Sequence, residues 1–423
     1  MSNNLNMQNS IAKLLDGVAV EWKPLGEVIK SLKTGLNPRN NFKLNTSDAM
    51  NFYITVREIQ NGKIVFLDKT DKINNQALEL INNRSNLEAG DILFSGTGTV
   101  GKTAVIDEKP KNWNIKEGVY VIKPVQEIVV SKYLSHLFNS KYIVNEYSKK
   151  IVGSPVISLP MSELKKIQIP IPPLHIQTEI ARILDIFTEL TAELTAELTA
   201  ELTARKKQYD YYRDKLLTFK ENEVEWKTLG EIATIQRGAS PRPIAKYITD
   251  SENGVPWIKI GDTSSNSKYV DNTAQKITFE GAAKSRILKK GDFIMSNSMS
   301  YGRPYILKID GAIHDGWASI SNFENMLNSD YLYHYLSSNV VQNYWKSKIN
   351  SGSVGNLNSD IIKSLKIPIL TINEQKCIAN TLDKFDALTN SITEGLPREI
   401  ELRQKQYEYY RNVLLNFPKV EDK

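Results

Sequence analysis

Residues 188–204 read Thr188-Glu-Leu, then Thr-Ala-Glu-Leu three times over, then Thr203-Ala204. Leu190, Leu194, Leu198 and Leu202 therefore recur at every fourth position. Four residues of α-helix turn roughly 400°, so the leucines drift only ~40° per repeat and share one broad face. Glu and Ala favour helix, and neither Gly nor Pro interrupts the chain between Leu174 and Phe219. The pattern predicts a helix of about 45 residues, or ~68 Å at ~1.5 Å per residue. A helix that long with a single leucine stripe needs a partner.

The partner comes from an internal duplication. Val20-Glu21-Trp22-Lys23-Pro24-Leu25-Gly26-Glu27 returns as Val224-Glu225-Trp226-Lys227-Thr228-Leu229-Gly230-Glu231. Gly35, Pro38 and Arg39 return as Gly238, Pro241 and Arg242; Gly90-Asp91 returns as Gly291-Asp292; Ile169-Pro170-Ile171 returns as Ile367-Pro368-Ile369. Tyr133-Leu134 with His136 matches Tyr331-Leu332 with His334. The strongest match sets Arg205-Lys-Lys-Gln-Tyr-Asp-Tyr-Tyr-Arg213 against Arg403-Gln-Lys-Gln-Tyr-Glu-Tyr-Tyr-Arg411.

A second long helix is thus expected over residues 372–417, with Thr371 and Glu374 as a capping box. Leu388, Ile392, Leu396 and Ile400 fall opposite the first leucine stripe, while Gly395 and Pro397 should kink or split this copy near Thr393. The expected fold class is α+β. Two similar mixed α/β domains would sit at opposite ends of an antiparallel pair of long helices related by a pseudo-two-fold. The boundaries read as an N-terminal segment at 1–17, a first domain at 18–172, a first helix at 173–219, a second domain at 220–370, a second helix at 371–417 and a tail at 418–423. Lys13-Leu14-Leu15 before Val20-Glu21-Trp22 repeats the order of Lys215-Leu216-Leu217 before Val224-Glu225-Trp226. The N-terminal segment is therefore expected to pack on the end of the second helix, near Leu414 to Phe417.

Composition sets outer bounds. A chain of 423 residues calls for two or three domains, and 41% hydrophobic residues suffice for real cores. Fifty-four Lys and Arg against 48 Asp and Glu give a formal charge of +6, which favours an anionic partner. No apolar run approaches the ~18 residues of a membrane span. The one cysteine, Cys377, excludes an internal disulfide, and a cytoplasmic protein is expected.

Gly96-Thr-Gly-Thr-Val-Gly101-Lys102-Thr103 matches the phosphate-binding loop G-x-x-x-x-G-K-[ST] in full, which by itself would suggest an NTPase. The residues that follow look like a strand and turn, whereas a phosphate loop must open a helix. The equivalent stretch of the second half, Ser296-Asn-Ser-Met-Ser-Tyr-Gly302-Arg303-Pro304, lacks the first Gly, the Lys and the Ser/Thr. A loop of small residues ending in Gly and a cation better suits close approach to a DNA backbone or groove edge. On that reading Thr97, Thr99, Lys102, Asn297, Tyr301 and Arg303 are DNA-binding candidates. Lys33, Arg39, Lys149 and Lys150 in the first half, and Arg237, Arg242, Lys346 and Lys348 in the second, would add phosphate contacts. The Gln-Tyr-x-Tyr-Tyr-Arg segments suit packing better than base stacking, because helical periodicity already explains Tyr209, Tyr212 and Leu216. His136, His175, His314 and His334 are scattered without metal-ligand spacing. No catalytic constellation is found.

The duplicated domain, a long helix after each copy and the Thr-Ala-Glu-Leu run together resemble the specificity subunit of type I restriction–modification enzymes. The central run resembles the subfamily that carries variable numbers of this tetrapeptide. The resemblance covers the whole chain and implies a non-catalytic protein. Each domain would be a target recognition domain reading one part of a split double-stranded DNA sequence. The helices would space the domains and dock two methyltransferase (modification) subunits that use S-adenosylmethionine to methylate adenine. Restriction subunits using ATP and magnesium would join them, and no cofactor is expected on this chain. Two other classes stay open at this stage: a P-loop NTPase using residues 96–103, and a coiled-coil adaptor indifferent to nucleic acid.

Overall fold

Glu21–Pro24 pairs antiparallel with Gln168–Ile171 in the computed structural model, placing Trp22 opposite Pro170. Glu225–Thr228 pairs with Lys366–Ile369 in the same register, with Trp226 opposite Pro368. Each ribbon joins the start of a domain to its end. A two-stranded ribbon leaves one side of each strand unpaired, so a proline there need not remove a ladder bond. The structure describes residue 9 and residues 11–39, 41–264, 267–297, 301–350, 357–390 and 395–418, with the side chain of Asn350 excepted. The chain divides into two compact units, Met1–Thr195 with Arg403–Lys423, and Ala196–Leu402.

In the first unit, strands Ile29–Thr34, Val119–Pro124, Ile92–Ser95 and Thr103–Val105 form a four-stranded antiparallel sheet in that spatial order. A smaller sheet orders Lys72–Ile73, Asn51–Ile54 and Trp113–Ile115. The second unit repeats the larger sheet as Thr234–Arg237, Trp317–Ser321, Phe293–Ser296 and Pro304–Leu307, and adds Tyr269–Val270 at the edge. Apolar side chains fill both faces of the inner strands: Ile92, Leu93, Phe94, Val121 and Ile122 are fully buried, as are Phe293, Ile294 and Ile320. Both units are therefore mixed helix and sheet. Gly35 and Gly238 mark one shared backbone crossing. A Cβ would stand 1.9 Å from the Ile115 carbonyl oxygen at the first and 2.1 Å from that of His314 at the second.

A pair of helices follows each sheet, Ser131–Phe138 with Lys141–Ser148 and Ser329–Leu336 with Asn339–Asn350. Ser140, accepting from the Ile143 amide, caps the second helix of the first pair. Each domain is fastened to its long helix by a buried glutamine. Gln177 donates to the carbonyls of Ile128 and Pro172 at 3.0 and 2.8 Å and accepts from Val130 N at 2.9 Å. Gln375 repeats all three bonds with Met326, Leu370 and Asn328 at 2.9, 3.0 and 2.7 Å. A fully satisfied buried amide fixes its neighbours without a desolvation penalty.

The first long helix is unbroken from Leu174 to Leu216, 43 residues. Its leucine stripe is not a buried seam. Leu190 is 54% exposed, and Leu194, Leu198 and Leu202 are half-buried. Full burial falls instead near the helix ends, at Ile180 and Leu184 in the first unit and at Tyr209 and Leu217 in the second. The second helix is split into Ile372–Asn390 and Gly395–Leu414. Its capping box forms as expected, with Glu374 Oε2 3.0 Å from Thr371 N and Thr371 Oγ1 3.3 Å from Glu374 N. Gly395 adopts φ +76°, and a Cβ there would lie 2.6 Å from the Leu388 carbonyl oxygen, so only glycine fits the break. Pro397 then sits in the first turn of the new helix, where its missing N–H has no partner to lose. Leu388, Leu396 and Ile400 are half-buried, and Ile392 lies outside the described residues.

In the first unit Ile11 is buried, and Leu14 and Leu15 pack against the cluster that contains Tyr410, Leu414, Leu415 and Phe417. Trp22 Nε1 donates to the Pro418 carbonyl at 3.3 Å. Among the described residues no helix is long and apolar enough to cross a membrane.

Candidate nucleic-acid interface

The loop that matched the phosphate-binding pattern closes a hairpin between Ile92–Ser95 and Thr103–Val105. No helix follows it, so the dipole and open amides that hold phosphate in such loops are missing. Four of its backbone donors are already engaged. Gly96 N donates to the Gly118 carbonyl, Gly98 N to that of Ile157 and Gly101 N to that of Ser95, at 2.8, 2.8 and 2.9 Å. Lys102 N donates to Ser95 Oγ at 2.8 Å. Gly101 has φ +100°, and a Cβ would stand 2.2 Å from the Tyr147 hydroxyl; Gly302, at φ +79°, meets Trp345 Cδ1 at 2.6 Å in the second unit. These glycines serve packing rather than a nucleotide.

The rest of the loop faces outward. Thr99 and Lys102 are exposed, and Lys102 Nζ reaches the Val56 carbonyl at 3.3 Å. Thr97 is half-buried with Oγ1 3.2 Å from Ser158 Oγ, joining this loop to residues 152–158. Lys33 is exposed on Ile29–Thr34, and Arg39 is exposed with φ +22°. Lys149 and Lys150 each have a carboxylate partner in the structure. They pair with Glu146 at 2.8 Å and Glu163 at 3.2 Å, because the carboxylates lie one helical turn away and on the next helix.

In the second unit the structure gathers three of the candidates around Asp315, which the sequence did not single out. Arg237 Nε donates to its carbonyl at 3.1 Å and Asn297 Nδ2 to the same oxygen at 3.2 Å. Arg242 Nη2 lies 3.8 Å from Oδ2 with most of its side chain in solvent. Ser240 Oγ donates to Oδ1 at 2.8 Å, and His314 Nδ1 lies 3.1 Å from it. The Ser240 hydrogen bond, with His314 and Arg237 nearby, holds the Asp315 carboxyl below its ordinary pKa. The result is a rigid turn that presents exposed guanidinium groups, a chemistry suited to phosphate or base edges. Nothing in the sequence spacing announced Asp315, since Arg237 and Ser240 lie 78 and 75 residues before it. Arg303 lies over the Tyr305 ring at 5.5 Å and Lys348 over Tyr344 at 5.5 Å. Tyr301 is half-buried against the core, and Lys346 is exposed.

A second feature missed in the sequence is a repeated histidine–aspartate bridge from domain to long helix. His136 Nε2 lies 2.7 Å from Asp185 Oδ1, and His334 Nε2 lies 2.8 Å from Asp383 Oδ1. Lys132 joins Asp185 at 2.7 Å, and Lys268 joins Asp383 at 2.6 Å. In the second unit the network is deeper: His334 is fully buried and its Nδ1 meets the Tyr209 hydroxyl at 3.0 Å. Tyr209 donating to Nδ1 leaves Nε2–H to donate to Asp383. Burial pushes the pKa of both aspartates up, but their hydrogen bonds to the histidine and lysine outweigh it and leave them below the ordinary carboxylate value. These bridges serve assembly rather than chemistry.

The family model described as the type I restriction modification DNA specificity domain matches residues 18–204 and again 221–402. The type I restriction enzyme EcoR124I/EcoR124II specificity subunit of Escherichia coli is 38% identical over 97% of this chain and 98% of its own length. A putative type I restriction enzyme specificity subunit of Haemophilus influenzae is 34% identical over 97% and 99%. In fold, the chain resembles one solved in work on complex assembly and conformational transition of the type I R-M system. That likeness has a TM-score of 0.69 at 18% identity, over 94% of this chain and 97% of the other.

Proposed function

The chain belongs to the type I restriction–modification DNA specificity family, and from that premise we propose that it is the DNA sequence-specificity subunit of a type I restriction–modification complex. Each domain reads one half of a split DNA target. The long helices set the unspecified gap between the halves and dock two modification subunits, which methylate adenine with S-adenosylmethionine. Restriction subunits that use ATP and magnesium complete the assembly. The Thr-Ala-Glu-Leu run supports membership of the subfamily that carries variable numbers of this tetrapeptide.

One observation carries this reading: the framework is kept and the reading loops are not. The glutamine anchors, the His–Asp bridges and the Trp–Pro ribbons recur with the same partners. The surface loops between them differ, with Thr97-Gly-Thr99 and Lys102 in one unit against Arg237, Arg242 and Asn297 around Asp315 in the other. Two different readers on one chassis fit a target with two unlike halves. The test is to sequence methylated adenines in cells expressing the chain with its modification subunit. Exchanging residues 18–172 for those of a relative should then change one half of the methylated motif and leave the other intact. A change in both halves would rule out modular reading.

A further inference from the structure

We infer that the turn Val152-Gly-Ser-Pro-Val-Ile-Ser158 is an apolar finger that reads a thymine methyl group in the major groove, with Val156 and Ile157 as the contacting side chains. The inference rests on the DNA-reading function proposed above. Residues 152–157 are all exposed, and three of them are large and apolar: Val152 at 56%, Val156 at 63% and Ile157 at 39%. A loose loop would turn such side chains inward. This one cannot, because its base is fastened at every point. Val152 and Ser158 exchange both backbone bonds, Ser158 N to Val152 O at 2.8 Å and Val152 N to Ser158 O at 2.9 Å. Gly98 N holds the Ile157 carbonyl at 2.8 Å, and Leu159 N holds that of Gly96 at 2.8 Å. Tyr120 donates its hydroxyl to the Leu159 carbonyl at 2.7 Å from within the core. At Gly153, φ +101°, a Cβ would come within 2.5 Å of the Val156 carbonyl, so the tip is held tight as well.

The surroundings select the occupant. The finger is stapled to the Thr97-Gly-Thr99 loop, which leads to the exposed cation Lys102. Glu146 and Glu163, the carboxylates flanking the finger in sequence, are neutralised by Lys149 and Lys150, so the cation beside the finger that is left to face a polyanion is the exposed Lys102. A presented apolar tip beside hydroxyls and an exposed cation fits an apolar group carried on a polyanion. In the major groove that group is the C5-methyl of thymine, and nearby hydroxyls suit the polar base edges beside it. The corresponding stretch of the second half, Ser351-Gly-Ser-Val-Gly-Asn356, has one apolar side chain beyond glycine, so the sequence predicts this mode for the first half only.

The test uses the full complex with its modification subunit and duplexes carrying the methylated target. Thymines are replaced by deoxyuridine in one half-site at a time, which removes only the methyl group. The wild-type complex should lose about fourfold in affinity for uracil in one half, the equivalent of ~0.8 kcal/mol for a single buried methyl. A Val156→Ala, Ile157→Ala double variant should bind thymine and uracil versions of that half equally and keep wild-type behaviour toward the other half. Val156→Thr, which preserves shape, should reduce the discrimination partway. An unchanged thymine preference in the double variant overturns the inference while leaving sequence-specific binding standing. Failure of the variant to assemble with the modification subunit overturns it too, by assigning the finger to a protein contact. A wild-type complex with no target preference at all would overturn the specificity-subunit reading itself.

Discussion

The ring of Phe187 stacks on that of Tyr410 within the first unit, with centroids 5.5 Å apart and planes inclined by 17°. In the second unit Phe385 stacks on Tyr212 at 5.6 Å and 20°. In both, the aromatic from the early turns of one long helix meets a tyrosine from the Gln-Tyr-x-Tyr-Tyr-Arg segment that ends the other. The repeated segments thus code for a repeated joint.

This joint is expected to behave as a local energetic pair. Phe187→Ala should destabilise the first unit by about 3 kcal/mol through lost burial and packing. A double-mutant cycle of Phe187→Leu with Tyr410→Leu should return a coupling of about 1 kcal/mol, the part of aromatic stacking beyond area burial. Denaturant melts of the four proteins give the number, and a coupling indistinguishable from zero would reduce the joint to incidental contact.

Residues 96–103 offer a sharper contrast between packing and nucleotide binding. Gly101→Ala should cost at least ~2 kcal/mol, because the backbone is left-handed and the Tyr147 hydroxyl blocks the methyl. Lys102→Ala should leave stability within about 0.5 kcal/mol. It should weaken DNA binding by a similar factor on all sequences and lower the salt slope by about one ion. Isothermal titration of the chain with ATP should show no binding; saturable binding lost in Lys102→Ala would restore the NTPase alternative.

The aspartate bridges give a pH signature. Asp185 and Asp383 have folded pKa values below the ordinary 3.8, so each contributes stability that is present above that value and lost as pH falls through the lower folded one. Asp383→Asn should cost about 2 kcal/mol near neutrality, since it strips a partner from the nearly buried Lys268; the figure is held low because Asp383 is a third exposed and Asp330 still pairs with that lysine. Asp185→Asn, beside the half-exposed Lys132, should cost nearer ~1 kcal/mol. Both deficits should shrink below about pH 4 in denaturation series, and a deficit constant across that range would show that packing rather than charge is involved.

Much of this architecture could be read from the chain because it is written twice. Duplication exposed the framework, helical period and the lack of Gly and Pro gave the helix Leu174–Leu216, and Gly395 with Pro397 marked the break that occurs. What stayed hidden depends on partners far apart in sequence. Asp315 draws Arg237, Arg242 and Asn297 together only after the sheet has formed, and the pairing of Lys150 with Glu163 needs two helices to meet. The depth of the leucine stripe stayed hidden for a simpler reason. Periodicity reports a shared face but not its depth of burial, and Leu190 is 54% exposed. That exposure has a consequence: the tetrapeptides lie between the buried ends of the helix, so their number can change without opening either core.

The most direct test of the central claim is to insert one further Thr-Ala-Glu-Leu unit into residues 191–202 and map methylated adenines. Four residues lengthen the helix by ~6 Å, and B-DNA rises ~3.4 Å per base pair, so the gap should grow by one or two base pairs. The account predicts that both recognised half-sequences stay unchanged while the unspecified gap between them widens. An insertion variant that methylates the original sites with the original gap would contradict it.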